Sequence, residues 1–133
     1  MIFDEVPADR LHYLTGPNFG MLGTVRPDNT PQVNPMWFEF DAESRTVRFT
    51  HTTYRGKYRN LQDNPGMSLA IFDPDDPLNY LELRGALVDT IPDPTGAFYV
   101  RLQNRYGDPS QEPPANKADR VILVMSVTKV IAG

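Results

Sequence analysis

Cysteine is absent from the 133 residues, and histidine occurs only twice, at His12 and His51. Without a thiol there is no disulfide staple, no thiolate nucleophile and no Cys-based metal site, so redox chemistry in this chain cannot run through sulfur. The same absence is compatible with a reducing interior. The two histidines lie far apart and have no flanking acid at ligand spacing, which argues against a metal centre. Basic residues are also in the minority, 13 against 17 acids, for a net charge of −4 and a pI near 5.0. A general nucleic-acid or anionic-membrane surface needs a basic footprint that this balance does not supply. No stretch approaches the ~20 apolar residues of a membrane span. The start, "MIFDEVPADRLHYL", carries acids and a proline in place of the basic and apolar regions of a signal peptide. The expectation is a soluble, cytoplasmic protein that binds neither nucleic acid nor membrane.

What is present suffices for one core. The apolar share is 40% with 11% aromatics, which at this length supports a single domain over residues 1–133. A proline-started helix is expected over Pro7–Thr15, stopped by Gly16-Pro17. Phe19–Arg26 and Pro31–Asp41 read as two strands of a hairpin around the turn residues "PDNT". In the second, Val33, Pro35 and Trp37 alternate with Met36, Phe38 and Phe40, so both faces carry bulk and both should be covered. Pro35 cannot donate to a ladder and marks an edge, a bulge or an opening of the sheet. A third strand over Thr46–His51 leads to a helix from about Tyr54 to Asp63, which Asn64-Pro65 ends. Strands over Gly66–Phe72 and Tyr80–Ile91 follow, the second with a bulge at Gly85. A helix over Thr95–Gly107, a proline-rich loop over Asp108–Ala118 and a strand over Asp119–Ile131 complete the chain. The order reads as a small antiparallel barrel of six strands with helices at its openings.

The stretch "HTTYRGKYRNLQDNP" contradicts the acidic balance. Arg45, Arg48, Arg55, Lys57 and Arg59 are five of the thirteen bases, with no acid among them. Arg55 and Lys57 fall at the start of the expected helix, where the dipole favours an anion and disfavours cations by about 0.3–1 kcal/mol each. A phosphate seated there would gain free N–H groups and both charges, with Thr52 and Thr53 available as caps. At about 100° per residue Lys57 points about 200° from Arg55, so the two meet one phosphate only if Arg55 lies in the loop before the helix. The other reading is a solvated helix start, and Arg59 suits that role better. The glycine spacing of a Walker loop or a dinucleotide fingerprint is missing.

Taken in order, "GMLGTVRPDNTPQVNPMWFEFD", "VRFTHTTYRGKYRNLQDNPGMSLAIFDPDDPLNYLELRGAL" and "RYGD" resemble the flavin and deazaflavin split-barrel family. That group contains pyridoxamine 5'-phosphate oxidases and reductases that use coenzyme F420. The run through Thr52, Lys57, Arg59, Asn60, Leu61, Asn64 and Pro65 is its most specific part. The resemblance implies a six-stranded split β-barrel, mainly β with flanking helices, that is an obligate homodimer with two cofactors at the subunit interface. It implies ring contacts from Asn34, Pro35, Met36 and Trp37, ring and ribityl contacts from Phe49 and Thr50, and a phosphate clamp of Arg55 and Lys57. Tyr80 matches the position that reaches the cofactor of the other subunit. Without the resemblance, Met36 and Trp37 read as plain core or interface residues.

The C-terminal Arg and His extension of pyridoxamine-phosphate oxidases is not seen around "VTKVIAG". The wording of "PMWFEFD", "YRGKYRNL" and "DPLNYLELRG" is closer to the F420-dependent branch. The implied activity is hydride transfer from reduced F420 to a small electron-poor substrate, with no metal and no assigned catalytic residue. The alternatives are an FMN-dependent oxidase or flavin reductase, and a cofactor-binding protein without turnover.

Overall fold

The structure, a computed structural model, describes residues 2–3 and 6–133. Met1, Asp4 and Glu5, which contribute to the reading of the N-terminus, lie outside the described residues. Among the described residues no helix is long and apolar enough to cross a membrane. The strands are β1 (Ile2–Phe3), β2 (Gly20–Val25), β3 (Pro31–Met36), β4 (Glu39–Asp41), β5 (Thr46–Thr52), β6 (Gly66–Asp73), β7 (Asp76–Pro92) and β8 (Arg120–Ala132). Helices α1 (His12–Thr15), α2 (Gly56–Asp63) and α3 (Ala97–Arg105) flank them, with short 3-10 turns at Ala8–Arg10 and Lys117–Asp119.

All ladders are antiparallel and run β3-β2-β6-β7-β8-β5-β4, with β1 added to β8. The two ends of this path, β3 and β4, are consecutive in sequence and joined only by Trp37 and Phe38. The sheet therefore curls until its edges meet, and the seam is closed by the chain rather than by a ladder, which makes it a split barrel. The expected six strands become eight because the two-residue β1 is added and the segment expected as one strand, Pro31–Asp41, divides at this seam. The division has a physical cause in α3 and the residue after it. Phe38 N–H donates to Tyr106 Oη at 3.0 Å, and Phe38 C=O accepts from Arg105 Nε at 3.0 Å. Phe38 is fully buried, so backbone groups that a ladder would have satisfied are satisfied by side chains instead.

The barrel interior follows from strand alternation. Val47 and Phe49 of β5, Leu69 and Ile71 of β6, Leu81 and Leu83 of β7, and Leu123 and Met125 of β8 are completely buried and pack in one cluster. The bulge at Gly85 is where the sequence places it, as a register shift between Arg84 and Gly85. A Cβ at Gly85 would lie 1.6 Å from the Ser126 carbonyl oxygen, so only glycine lets β7 pass this close to β8. The expected N-terminal helix is shorter than Pro7–Thr15. It is a 3-10 turn followed by one α turn, too short for a repeating apolar face, and Leu14 and Tyr13 make its buried contact while Leu11 is exposed. Within the chain neither face of β3 is buried: Pro31, Val33 and Pro35 are exposed and Gln32, Asn34 and Met36 half-buried. The double cover expected for this strand is not supplied by the chain itself.

Candidate functional site

At the seam, where β3 leaves the sheet, a groove of about 420 Å³ opens between five segments. Asn34, Pro35 and Met36 line it from β3, Trp37 from the link, and Thr50 and His51 from the end of β5. Arg55 and Lys57 enter from the start of α2, Arg120 from the start of β8, and Phe19 from the residue before β2. The local reason for α2's position is visible in its buried polar face. Asn60 Nδ2 donates to Thr24 Oγ1 at 3.1 Å and to Gln32 Oε1 at 2.9 Å, tying the helix to β2 and β3. Lys57 Nζ donates to Asn34 Oδ1 at 3.1 Å, and Gln32 Nε2 donates to the same oxygen at 3.0 Å. Asn34 thus has its carbonyl turned towards Lys57, which leaves its amide N–H₂ group free of these bonds.

Arg55 is the N-cap residue of α2, with extended backbone (φ −88°, ψ 158°), and no side chain caps the helix. Thr52 and Thr53 do not fill that role, because the chain enters α2 through an extended residue that carries them away from its first turn. Arg55 accordingly sits ahead of the helix and Lys57 in its first turn, the arrangement in which both can face one ligand. The first turn's N–H groups have no side-chain acceptor.

The electrostatics are one-sided. The groove holds three cations and no carboxylate. The ion pairs found among the described residues, Asp9 with Arg10, Glu82 with Arg84 and Glu39 with Arg101, involve none of them. Burial, and then the neighbouring Arg55 charge, lowers the pKa of Lys57 from the ordinary lysine value. Arg120 is lowered chiefly by burial, with Arg55 again contributing and Tyr99, Tyr54 and Asp93 opposing. His51 is 4% exposed and its Nε2 is buried with no hydrogen-bond partner. Burial first, and then Lys57, Arg55 and Arg120, bring its pKa down to about 4. Its imidazole is therefore neutral at pH 7.

The opposite wall is aromatic and braced from behind. Trp37 stacks on Tyr106 at 5.4 Å between ring centroids with 14° between planes, and lies 6.0 Å from Tyr99. Tyr106 Oη donates to the Asn18 carbonyl at 2.7 Å. Arg105 forks across the carbonyls of Leu14, Thr15, Gly16 and Phe38 at 2.8–3.2 Å. The "RYGD" segment thus holds the seam and orients Trp37 from outside the groove.

Three comparisons bear on this arrangement. The chain matches the pyridoxamine 5'-phosphate oxidase family over residues 9–132. The chain belongs to that family. It is 30% identical over 124 residues to an F420H(2)-dependent biliverdin reductase of Mycobacterium tuberculosis, covering 92% of this chain and 85% of the relative. Among solved structures it superposes on an F420 reductase with a TM-score of 0.89 at 53% identity, covering 95% of this chain and 98% of that one. A conserved hypothetical protein of M. tuberculosis shares the fold, with a TM-score of 0.74 at 18% identity over 97% of this chain and 86% of that one.

Against this family background, seven of the nine expected cofactor residues meet in the groove: Asn34, Pro35, Met36, Trp37, Thr50, Arg55 and Lys57. Phe49 does not. It is fully buried in the barrel interior among the core side chains, because β5 turns it inward. Tyr80 lies on β7 opposite Phe72 and packs against Gly133, whose Cβ would stand 2.0 Å from its ring. It does not line the groove of its own chain. Sequence reasoning missed Phe19, His51 and Arg120. His51 lies inside the basic stretch that pointed to the site, and its unpaired acid-free surroundings were the available signal. Arg120 gave none, since its approach depends on the pairing of Thr52 with Arg120 between β5 and β8. Among the described residues no group of three His, Asp or Glu is placed to hold a metal ion.

Proposed function

We propose that the chain is an F420-dependent oxidoreductase that passes hydride to a small electron-poor substrate, working as a homodimer with a cofactor groove at each end of the interface. The observation that carries this reading is the groove itself: three cations without a carboxylate, beside a buried imidazole nitrogen without a partner. Uncompensated charge of that kind fits an anionic ligand and is unfavourable without one. Similarity to an F420 reductase at 53% identity supports F420 as that ligand.

Arg55 and Lys57 would hold the phosphate, as fork and point charge respectively, together with the uncapped first turn of α2. Asn34, fixed by Lys57 and Gln32, offers its free amide to a ring heteroatom. Trp37, held flat by Tyr106, and Pro35 and Met36 exclude water from one side of a planar group. When bound, F420 supplies a two-electron hydride donor at a single ring carbon, and no protein nucleophile is required. Phe19, 59% exposed, lines the groove, and Val33, 57% exposed, lies on β3; a second copy seated there would supply the missing cover of β3. Tyr80 then becomes the candidate to reach the partner's groove.

Titration of the purified protein with F420 and with FMN tests the reading. F420 is expected to bind at least tenfold more tightly, and Lys57→Ala to weaken it by about 1.5–3 kcal/mol, the loss of a hydrogen bond to a charged group. Equal or tighter FMN binding would reassign the cofactor. Tight F420 binding with no turnover across a panel of acceptors would make this a carrier rather than an enzyme.

A further inference from the structure

The expected phosphate clamp has two arms, yet a third cation reaches the same groove from a part of the chain to which no role has been assigned. Arg120 opens β8 directly after the proline-rich loop, and several bonds fix its guanidinium. Its Nε donates to Asn116 Oδ1 at 3.2 Å, and its Nη1 lies 3.5 Å from Thr50 Oγ1. The group sits 4.7 Å over the face of Tyr99. Asn116 is in turn held by the loop's contact with the segment before α2, donating from Nδ2 to Tyr54 Oη at 2.7 Å. The chain therefore spends a cluster of polar contacts to hold a cation close to Arg55, with no acid facing it from within the groove.

We propose that Arg120 is the third arm of the clamp and sets its specificity, so that the groove takes a ligand with two adjacent anionic groups, such as a diphosphate or a phosphate followed by a carboxylate. A single phosphate needs no more than the Arg55 and Lys57 pair. Arg120 stands on another strand, and its fork is held rigid by Asn116, so it can pair with a second anionic group that the first two arms do not reach. Like charges this close repel, and the repulsion is lifted only when enough negative charge lies between them. The Asp108–Ala118 loop acquires a role in the same step, since Asn116 within it aims the guanidinium. Among cofactors, the third arm favours one whose phosphate is followed by further negative charge.

This deepens the reading of the groove as a cofactor site, and it is tested without a cofactor, so the two can fail separately. The probes are inorganic pyrophosphate and orthophosphate, titrated against the whole protein and followed by NMR of the arginine Nε–H groups and by isothermal calorimetry. The wild-type protein is expected to bind pyrophosphate about tenfold more tightly than orthophosphate, and Arg120→Gln to lose about tenfold for pyrophosphate, as for one charged hydrogen bond. Arg120→Lys keeps the charge without the fork and falls between. Arg101→Gln removes one exposed cation that pairs with Glu39 on the outside, and should change binding by less than about twofold, in line with a surface pair. Should Arg120→Gln fail to fold, the wild-type Nε–H resonance of Arg120 decides, since it must move and saturate with pyrophosphate. An unmoved resonance, pyrophosphate binding by Arg120→Gln within twofold of wild type, or no preference for pyrophosphate over orthophosphate would each overturn the proposal.

Discussion

His51 provides a sharp quantitative test of the groove's electrostatics, because its neutral state is imposed by surroundings that can be changed. Its pKa falls from 6.5 in the unfolded chain to about 4 in the fold, through burial and then through Lys57, Arg55 and Arg120. Between those two values the unfolded chain binds the proton and the folded chain does not, so stability falls as pH drops from 6.5 towards 4. The interval of about 2.5 pH units corresponds to a loss of about 3 kcal/mol when fully developed, and about 2 kcal/mol is already lost by pH 5. Urea denaturation of the wild type and of His51→Gln at pH 7 and pH 5 isolates this contribution, because the carboxylates titrate alike in both. The wild type is expected to lose about 2 kcal/mol more than the variant over that range. NMR titration of the His51 ring protons gives the folded value directly. Parallel pH profiles for the two proteins, or a folded His51 titrating near 6.5, would refute the electrostatic account. Pyrophosphate should flatten the wild-type profile in part, since an anion in the groove offsets the share of the His51 shift that comes from Lys57, Arg55 and Arg120 and leaves the larger share, burial, in place.

Two further predictions concern the frame. Gly85→Ala puts a methyl group against the Ser126 carbonyl, and is expected to destabilise the fold by about 3 kcal/mol or more, read from the shift in urea midpoint. Arg105→Lys keeps one charge but cannot span the four carbonyls it now joins. It should cost about 1.5–3 kcal/mol and also change the fluorescence of Trp37, the only tryptophan, because the seam residue Phe38 loses its acceptor bond. Unchanged fluorescence with lowered stability would mean that Tyr106 alone orients Trp37.

Much of this site was legible for a local reason. Arg55 and Lys57 stand where the helix dipole does not want cations, and that conflict is visible within five residues of sequence. The strand holding Pro35, Met36 and Trp37 was marked by bulk on both faces and by a proline that cannot pair, while Asn34 was marked only by the resemblance. Both signals are violations of a local rule, and such violations tend to mark function. Alternation puts Phe49 with Val47 in the core, and the residue types alone favour that face. The seam itself was not legible. "PMWFEFD" has the pattern of a continuous strand, and it breaks because Tyr106 and Arg105, nearly seventy residues on, take over the backbone groups of Phe38. Arg120 was hidden by the same kind of distance.

The three cations also explain why an acidic chain confines its bases in this way. Spread over the surface, Arg55, Lys57 and Arg120 would pair weakly with the many exposed acids and contribute little. Brought together in a groove that no carboxylate lines, with the nearby Asp93 acting against the repulsion at Arg120, they raise the free energy of the empty protein: burial and mutual repulsion lower the pKa of Lys57 and Arg120, and keep His51 uncharged. An anion that enters offsets the mutual repulsion, though not the burial, so its apparent affinity includes the release of part of a penalty already built into the fold. The negative charge elsewhere on the chain then works as selection: it weakly repels polyanions at large and leaves one place where they are favoured. A bound anion that moves the His51 pKa back towards its ordinary value should therefore stabilise this protein by an amount that grows as pH falls from about 6.5 towards 4. That window follows from His51 alone and disappears with it.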